Sequence, residues 1–123
     1  MDAKLTKWEV TNIIDLFERR IAEDIPVQYI TNEAFYLNRN KFYIEESVNI
    51  PYAYFGGIFE KFLAEQEWKN FRVLDMCAGS GCIGISLALL MPSLKVDLVD
   101  ICTDALSVAQ KNVDIYDLGE SVK

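Results

Sequence analysis

The stretch LDMCAGSGCIG, residues 74–84, constrains this chain more than any other. It reads as an apolar strand that ends on Asp75 and runs into a turn carrying Gly79, Ser80, Gly81 and Gly84. The flanking sequence fits that reading. FRVLDMC has the length of a strand, CIGISLALLM is helical and apolar on most sides, and Pro92 with Ser93 ends the helix. LKVDLVD then alternates on its way to Asp100. In TDALSVAQKNVDIYDL, Thr103 is placed to cap a helix bearing Leu106, Val108, Ala109, Val113 and Ile115. A β-α-β-α run of this kind builds part of a parallel sheet, so the fold class is α/β.

The upstream residues have a different texture. From Lys4 to Glu23, Leu5, Trp8, Ile13, Ile14, Phe17 and Ile21 recur at helical spacing and predict an amphipathic helix. DIPVQYITNEAFYLNRNKFYIEESVNIP breaks that period. Pro26 and Pro51 punctuate it, AFYL and KFYIEESVNI suit strands, and Asn38, Arg39 and Asn40 make a hairpin turn. Between Ala53 and Glu65 the residues Phe55, Ile58, Phe59, Phe62 and Leu63 predict a core-facing helix, and EQEWKN reads as a linker. The expected boundary lies near Lys69, with a helical and hairpin segment over 1–68 and the strand-turn-helix unit over 69–123.

Composition narrows the partners. With 123 residues, 51% of them hydrophobic, the chain suits one compact unit. Twelve Lys and Arg against 19 Asp and Glu leave a net charge of -7, which opposes direct binding to nucleic acid. There is no His, so the usual general base and the commonest zinc ligand are both missing. Cys77, Cys82 and Cys102 are odd in number, lack metal-ligand spacing and lie in or beside apolar runs. They are expected to be small buried thiols in a reducing compartment. No stretch has the length of a membrane span, and the amino terminus MDAKLTKWEV lacks a signal peptide's apolar core, so a cytoplasmic protein without membrane contact is expected.

In an open parallel sheet, ligands bind beyond the carboxyl ends of the strands, above all at the first strand-to-helix turn. Gly79 and Gly81 permit positive φ and close backbone approach, and the helix N-terminus behind them offers free N–H groups. Asp100 ends the next strand, where a carboxylate accepts ribose hydroxyls. GSGCIG also satisfies the dinucleotide pattern GxGxxG, which makes NAD an alternative ligand. Asp75 argues against it, because a carboxylate beside the turn repels a pyrophosphate and attracts an ammonium group. S-adenosylmethionine (SAM) has such an ammonium, a cationic sulfonium, a ribose and no phosphate. The plain alternative assigns the glycines to helix packing and both carboxylates to capping and strand termination.

RVLDMCAGSGCIGISLALLMPSLKVDLVDICTDALSVAQKN resembles motif I and the acidic second-strand segment of class I SAM-dependent methyltransferases. It is similar in particular to the HemK/PrmB group of protein-(glutamine-N5) methyltransferases. Cys77 and the run from Gly79 to Ile83 resemble the PrmB branch, which methylates a glutamine of a large-subunit ribosomal protein. Upstream, Pro26, Tyr29, Thr31, Asn32 and Phe42 are similar to that branch's substrate-side segment.

The resemblance implies a substrate-recognition segment over 1–68, followed over 69–123 by the first half of a Rossmann-like methyltransferase sheet. It also implies SAM as cofactor and a large-subunit ribosomal protein as methyl acceptor. By it, Asp75, Gly79 and Gly81 line the methionyl side with Cys77 among them, Asp100 holds the ribose, and Ile101 lies against the adenine. Asn112 matches a family position without a derivable role.

Two departures stand out. Tyr52 occupies the place of a family arginine after the proline, and the sequence stops at Lys123, before the Asn-Pro-Pro-Tyr motif that grips the target amide. Methylation of an amide nitrogen depends on aligning it in line with the donor. A truncated enzyme with no catalytic residue of its own, inactive at this length and prone to self-association through an exposed sheet edge, is therefore expected. The alternative is a catalytically silent remnant that binds SAM or a ribosomal protein.

Overall fold

The structure, a computed structural model, describes residues 4–37, 40–52, 54, 56–58, 61 and 71–123. Helix α1 (Lys7–Ala22) starts at a capping box. The Glu9 N–H donates to Thr6 Oγ1 at 3.2 Å, and the Glu9 carboxylate accepts the Thr6 N–H at 2.7 Å. The predicted helix is present, but its apolar stripe is not covered: none of its residues is buried, and Trp8, Phe17 and Ile21 are largely exposed.

A short helix α2 (Val27–Thr31) stops at Asn32, which adopts φ 54° and donates from Nδ2 to the Ile44 carbonyl at 3.0 Å. That turn delivers the chain into a hairpin of β1 (Glu33–Tyr36) and β2 (Asn40–Tyr43), antiparallel with Glu33 opposite Tyr43 and Tyr36 opposite Asn40. Ala34, Tyr36 and Phe42 face inward. Asn38 and Arg39 of the predicted turn lie outside the described residues. The second predicted strand is shorter than KFYIEESVNI: it ends at Tyr43, and Ile44 and Val48 then enter the core from irregular backbone. Of the stripe expected from Phe55 to Leu63, only Ile58 is described, in helical conformation and 51% exposed. The EQEWKN linker and the boundary at Lys69 also lie outside the described residues.

Strand β3 (Arg72–Met76), helix α3 (Cys82–Leu90), strand β4 (Lys95–Val99) and helix α4 (Thr103–Ile115) form the predicted β-α-β-α run. β3 and β4 are parallel, with Arg72 opposite Lys95 and Met76 opposite Val99. The far edge of β4 carries more. Val96 bridges Val122 in parallel, the Val96 N–H donates to the Ser121 carbonyl, and the Lys123 N–H donates to the Val96 carbonyl. A third strand position thus begins at residues 121–123, where the sequence reading had only two.

α3 is buried on most sides, as its apolar composition demands. At Gly84 a Cβ would stand 2.5 Å from Leu98 Cδ2 and 2.9 Å from Val96 Cγ1, so only glycine lets α3 lie this close to β4. The opposite face of the sheet leaves Leu74, Met76 and Val99 exposed. Two sequence expectations need correction. Thr103 is the first residue of α4 rather than its cap, which is Cys102 without a side-chain bond. Only Cys82 is a buried thiol; Cys77 and Cys102 lie in the loops that follow the strand ends and are exposed. Among the described residues no helix is long and apolar enough to cross a membrane.

Candidate functional site

Parallel pairing sends the carboxyl ends of β3 and β4 to the same side, so the loops that follow them meet. The first loop is built from left-handed backbone. Cys77, Gly79 and Gly81 have φ of 59°, 56° and 74°. The glycines satisfy this conformation in different ways. A Cβ on Gly79 would meet nothing within 4 Å, so its requirement is conformational alone, whereas one on Gly81 would also press Leu98 and Ile85 at 3.0 and 3.1 Å. Cys77 has a side chain in this region, at a cost of about 1–2 kcal/mol.

Asp100 ties the two loops together. Its Oδ2 accepts the Gly79 N–H at 2.9 Å and its Oδ1 accepts the Cys102 N–H at 2.9 Å. Those backbone donors, Cys102 first and then Gly79, hold its carboxyl below the ordinary carboxylate range, so it stays ionised. Asp75 is different. It is partly buried, and Oδ2 accepts the Gly84 N–H at 2.9 Å in the first turn of α3. Burial pushes its pKa up, the Gly84 N–H opposes this, and the negative charge of Asp100 adds to the rise.

Beside these loops opens a cleft of about 470 Å³. Cys77, Gly79, Ser80 and Asp100 form one wall, and residues 46–52 form the other, with Val48, Ile50 and Tyr52 among them. Of the six residues singled out from the sequence, Cys77, Gly79 and Asp100 line this cleft. Asp75 and Gly81 stand behind it, turned toward α3, and Ile101 is fully exposed at its edge rather than in its lining. Sequence reasoning missed the second wall, because Val48 and Ile50 read as strand residues. Of this wall, the sequence reading marks only Pro51, as punctuation, and Tyr52, as a departure from the family arginine.

The residues present suit SAM. An ionised acceptor on the rim matches ribose hydroxyls, left-handed backbone at Gly79 permits close approach, and Val48, Ile50 and Ile83 supply apolar surface for an adenine. Among the described residues no group of three or more Cys, Asp or Glu side chains is placed to hold a metal ion.

Comparison with known proteins gives the family. Residues 58–122 match the methyltransferase small domain. The chain is 37% identical over 125 residues to the ribosomal protein uL3 glutamine methyltransferase of Burkholderia pseudomallei, covering 99% of this chain and 40% of that protein. Similar matches are the proteins of the same name from Bordetella pertussis, 37% identical over 96% of this chain and 40% of the relative, and from Neisseria meningitidis serogroup A, 36% identical over 100% of this chain and 41% of the relative. The chain thus spans about two fifths of the length of the relatives it matches.

Proposed function

Because the chain belongs to the methyltransferase small domain family, we propose that it forms the cofactor-binding part of a SAM-dependent enzyme that methylates a glutamine of a large-subunit ribosomal protein. The observation that carries the cofactor assignment is Asp100, kept ionised at the mouth of a cleft whose floor is the glycine turn. When bound there, SAM supplies an electrophilic methyl group on its sulfonium.

The chain's own residues do the holding. Asp100 accepts from the ribose hydroxyls with the lone pairs that Gly79 and Cys102 leave free. Cys77 and Gly79 shape the methionyl side of the cleft. Asp75 and Gly81 support it from behind, Asp75 adding the negative charge that favours an ammonium group. Ile101 closes over the adenine from the exposed edge. Ribosomal protein uL3, the substrate in the relatives' name, supplies the acceptor side of the reading, and on that reading residues 1–68 are its recognition segment and the cytoplasm the place of reaction.

Calorimetric titration with S-adenosylhomocysteine (SAH) and with NAD tests the cofactor assignment. SAH is expected to bind more tightly. Tighter binding of NAD would return the glycine turn to the dinucleotide reading.

A further inference from the structure

Asn112 is fully buried in α4 and lies outside the cleft. A buried amide is costly unless its polar atoms are matched, and these are. Oδ1 accepts the Tyr43 N–H at 2.7 Å, while Nδ2 donates to the Tyr43 carbonyl and to the Ser80 carbonyl, each at 2.9 Å. Only one orientation of the amide satisfies this set, since an NH2 group cannot accept from the Tyr43 N–H. One side chain therefore joins the end of β2, the glycine turn and α4. The surrounding contacts strengthen the same junction. Tyr116 Oη donates to the Lys41 carbonyl at 2.8 Å, and Lys111 Nζ sits 4.4 Å above the centroid of the Tyr43 ring. Ser80 in turn lies between Gly79, whose N–H is held by Asp100, and Gly81, which opens α3.

We propose that Asn112 is a positioning residue that fixes the glycine turn to the hairpin, so that the cofactor face of the turn and the backbone at Tyr43 move as one piece. The proposal rests on the cofactor reading and deepens it: the geometry of the turn is set from behind by a residue that touches no cofactor. Removing the side chain takes a partner from the buried Ser80 carbonyl and from the part-buried carbonyl and N–H of Tyr43, and the turn loses its bond to the hairpin through Ser80.

The test uses the 123-residue chain and three variants, Asn112→Ala, Asn112→Gln and, as a control, Val113→Ala, a neighbour in the same helix that is only 2% exposed. SAH affinity is read by calorimetry, and amide hydrogen exchange is read at residue 43 and residues 79–81. Asn112→Ala is expected to weaken SAH binding about tenfold or more, the equivalent of at least one lost hydrogen bond. It should also speed exchange at both places together. Asn112→Gln, which keeps the amide but displaces it by a methylene, should move both readouts in the same direction and serves alone if the alanine variant does not fold. Val113→Ala should lower the melting temperature and leave affinity within about twofold of wild type.

Unchanged affinity in both Asn112 variants overturns the proposal, as does faster exchange at Tyr43 with the turn unaffected, or a control that reproduces both effects. If the wild-type chain takes up no SAH, the cofactor reading fails, and the exchange measurements then decide the junction by themselves.

Discussion

Asp75 and Asp100 are carboxylates near the carboxyl ends of neighbouring parallel strands whose surroundings drive them in opposite directions, and this gives them opposite effects on stability. Asp75 binds its proton more tightly in the folded chain, because burial penalises its charge. Its contribution therefore falls as pH rises from the ordinary carboxylate range through its raised pKa. Asp100 binds its proton less tightly, because two backbone N–H groups favour the ion; its contribution is complete above the ordinary range and is lost as pH falls through its lowered pKa. Asp75→Asn is expected to remove the loss of stability that accompanies a rise in pH above the ordinary carboxylate range, since an amide oxygen still accepts from Gly84. Asp100→Asn is expected to reduce the acid sensitivity and to lower stability at neutral pH, since its NH2 group faces an N–H donor. Urea unfolding of both variants across pH checks the two slopes; parallel profiles would contradict the assignment. Asp100→Ala should also weaken SAH binding about tenfold or more, because it removes a charged acceptor and frees the Gly79 and Cys102 N–H groups together.

Tyr36 adds a residue whose polar end is a liability. It is 3% exposed, its hydroxyl finds no hydrogen-bond partner among the described residues, and burial pushes its pKa up to about 12. Tyr36→Phe is expected to be neutral or to stabilise the chain by about 1 kcal/mol, the desolvation cost of an unmatched hydroxyl. A shift of the urea midpoint to lower concentration would show that the hydroxyl has a partner after all. None of this was visible beforehand: the sequence marks Asp75 and Asp100 by their place after apolar strands, but not which N–H groups their oxygens already hold.

At the scale of elements, the β-α-β-α run was legible because its period changes sharply between strand and helix and its glycines sit at the junction. The hairpin was legible for a related reason, namely aromatic and β-branched runs on either side of Asn-Arg-Asn. What could not be read was where β2 stops, since Ile44 and Val48 are as apolar as strand residues and are buried beyond the end of the strand. Gly84 carries the closest contact between elements. Gly84→Ala should push α3 away from Val96 and Leu98 and cost about 1–3 kcal/mol, as an overpacked core does. Cys77→Gly should act in the other direction, relieving left-handed strain of about 1–2 kcal/mol against about 0.5–1 kcal/mol of added chain entropy. Thermal unfolding of the two variants should therefore shift the melting temperature in opposite senses.

At the scale of the molecule, two stretches of exposed apolar surface stand out among the described residues, the stripe of α1 with Trp8, Phe17 and Ile21 and the sheet face with Leu74, Met76 and Val99. The sequence marked α1 as amphipathic and the sheet as left with an exposed edge, but periodicity reports which face is apolar and not whether anything lies against it. The 123-residue chain is expected to self-associate as its concentration rises, and a Leu74→Lys, Met76→Lys pair should reduce this in sedimentation velocity. Concentration-independent sedimentation of the unaltered chain would show that these faces do not attract.

The junction between the hairpin and α4 also sets an order of assembly. Tyr43 is bonded to a residue 69 positions further along the chain, so the hairpin is synthesised long before its partner. At about 5–20 residues per second on the ribosome, that is a wait of roughly 3–14 s. Through that interval the side chains of Phe42 and Ile44, which end among the most deeply buried of the described residues, lack the part of their surroundings that α3 and α4 supply. The cofactor side must therefore be finished before the hairpin is secured, although the hairpin leaves the ribosome first.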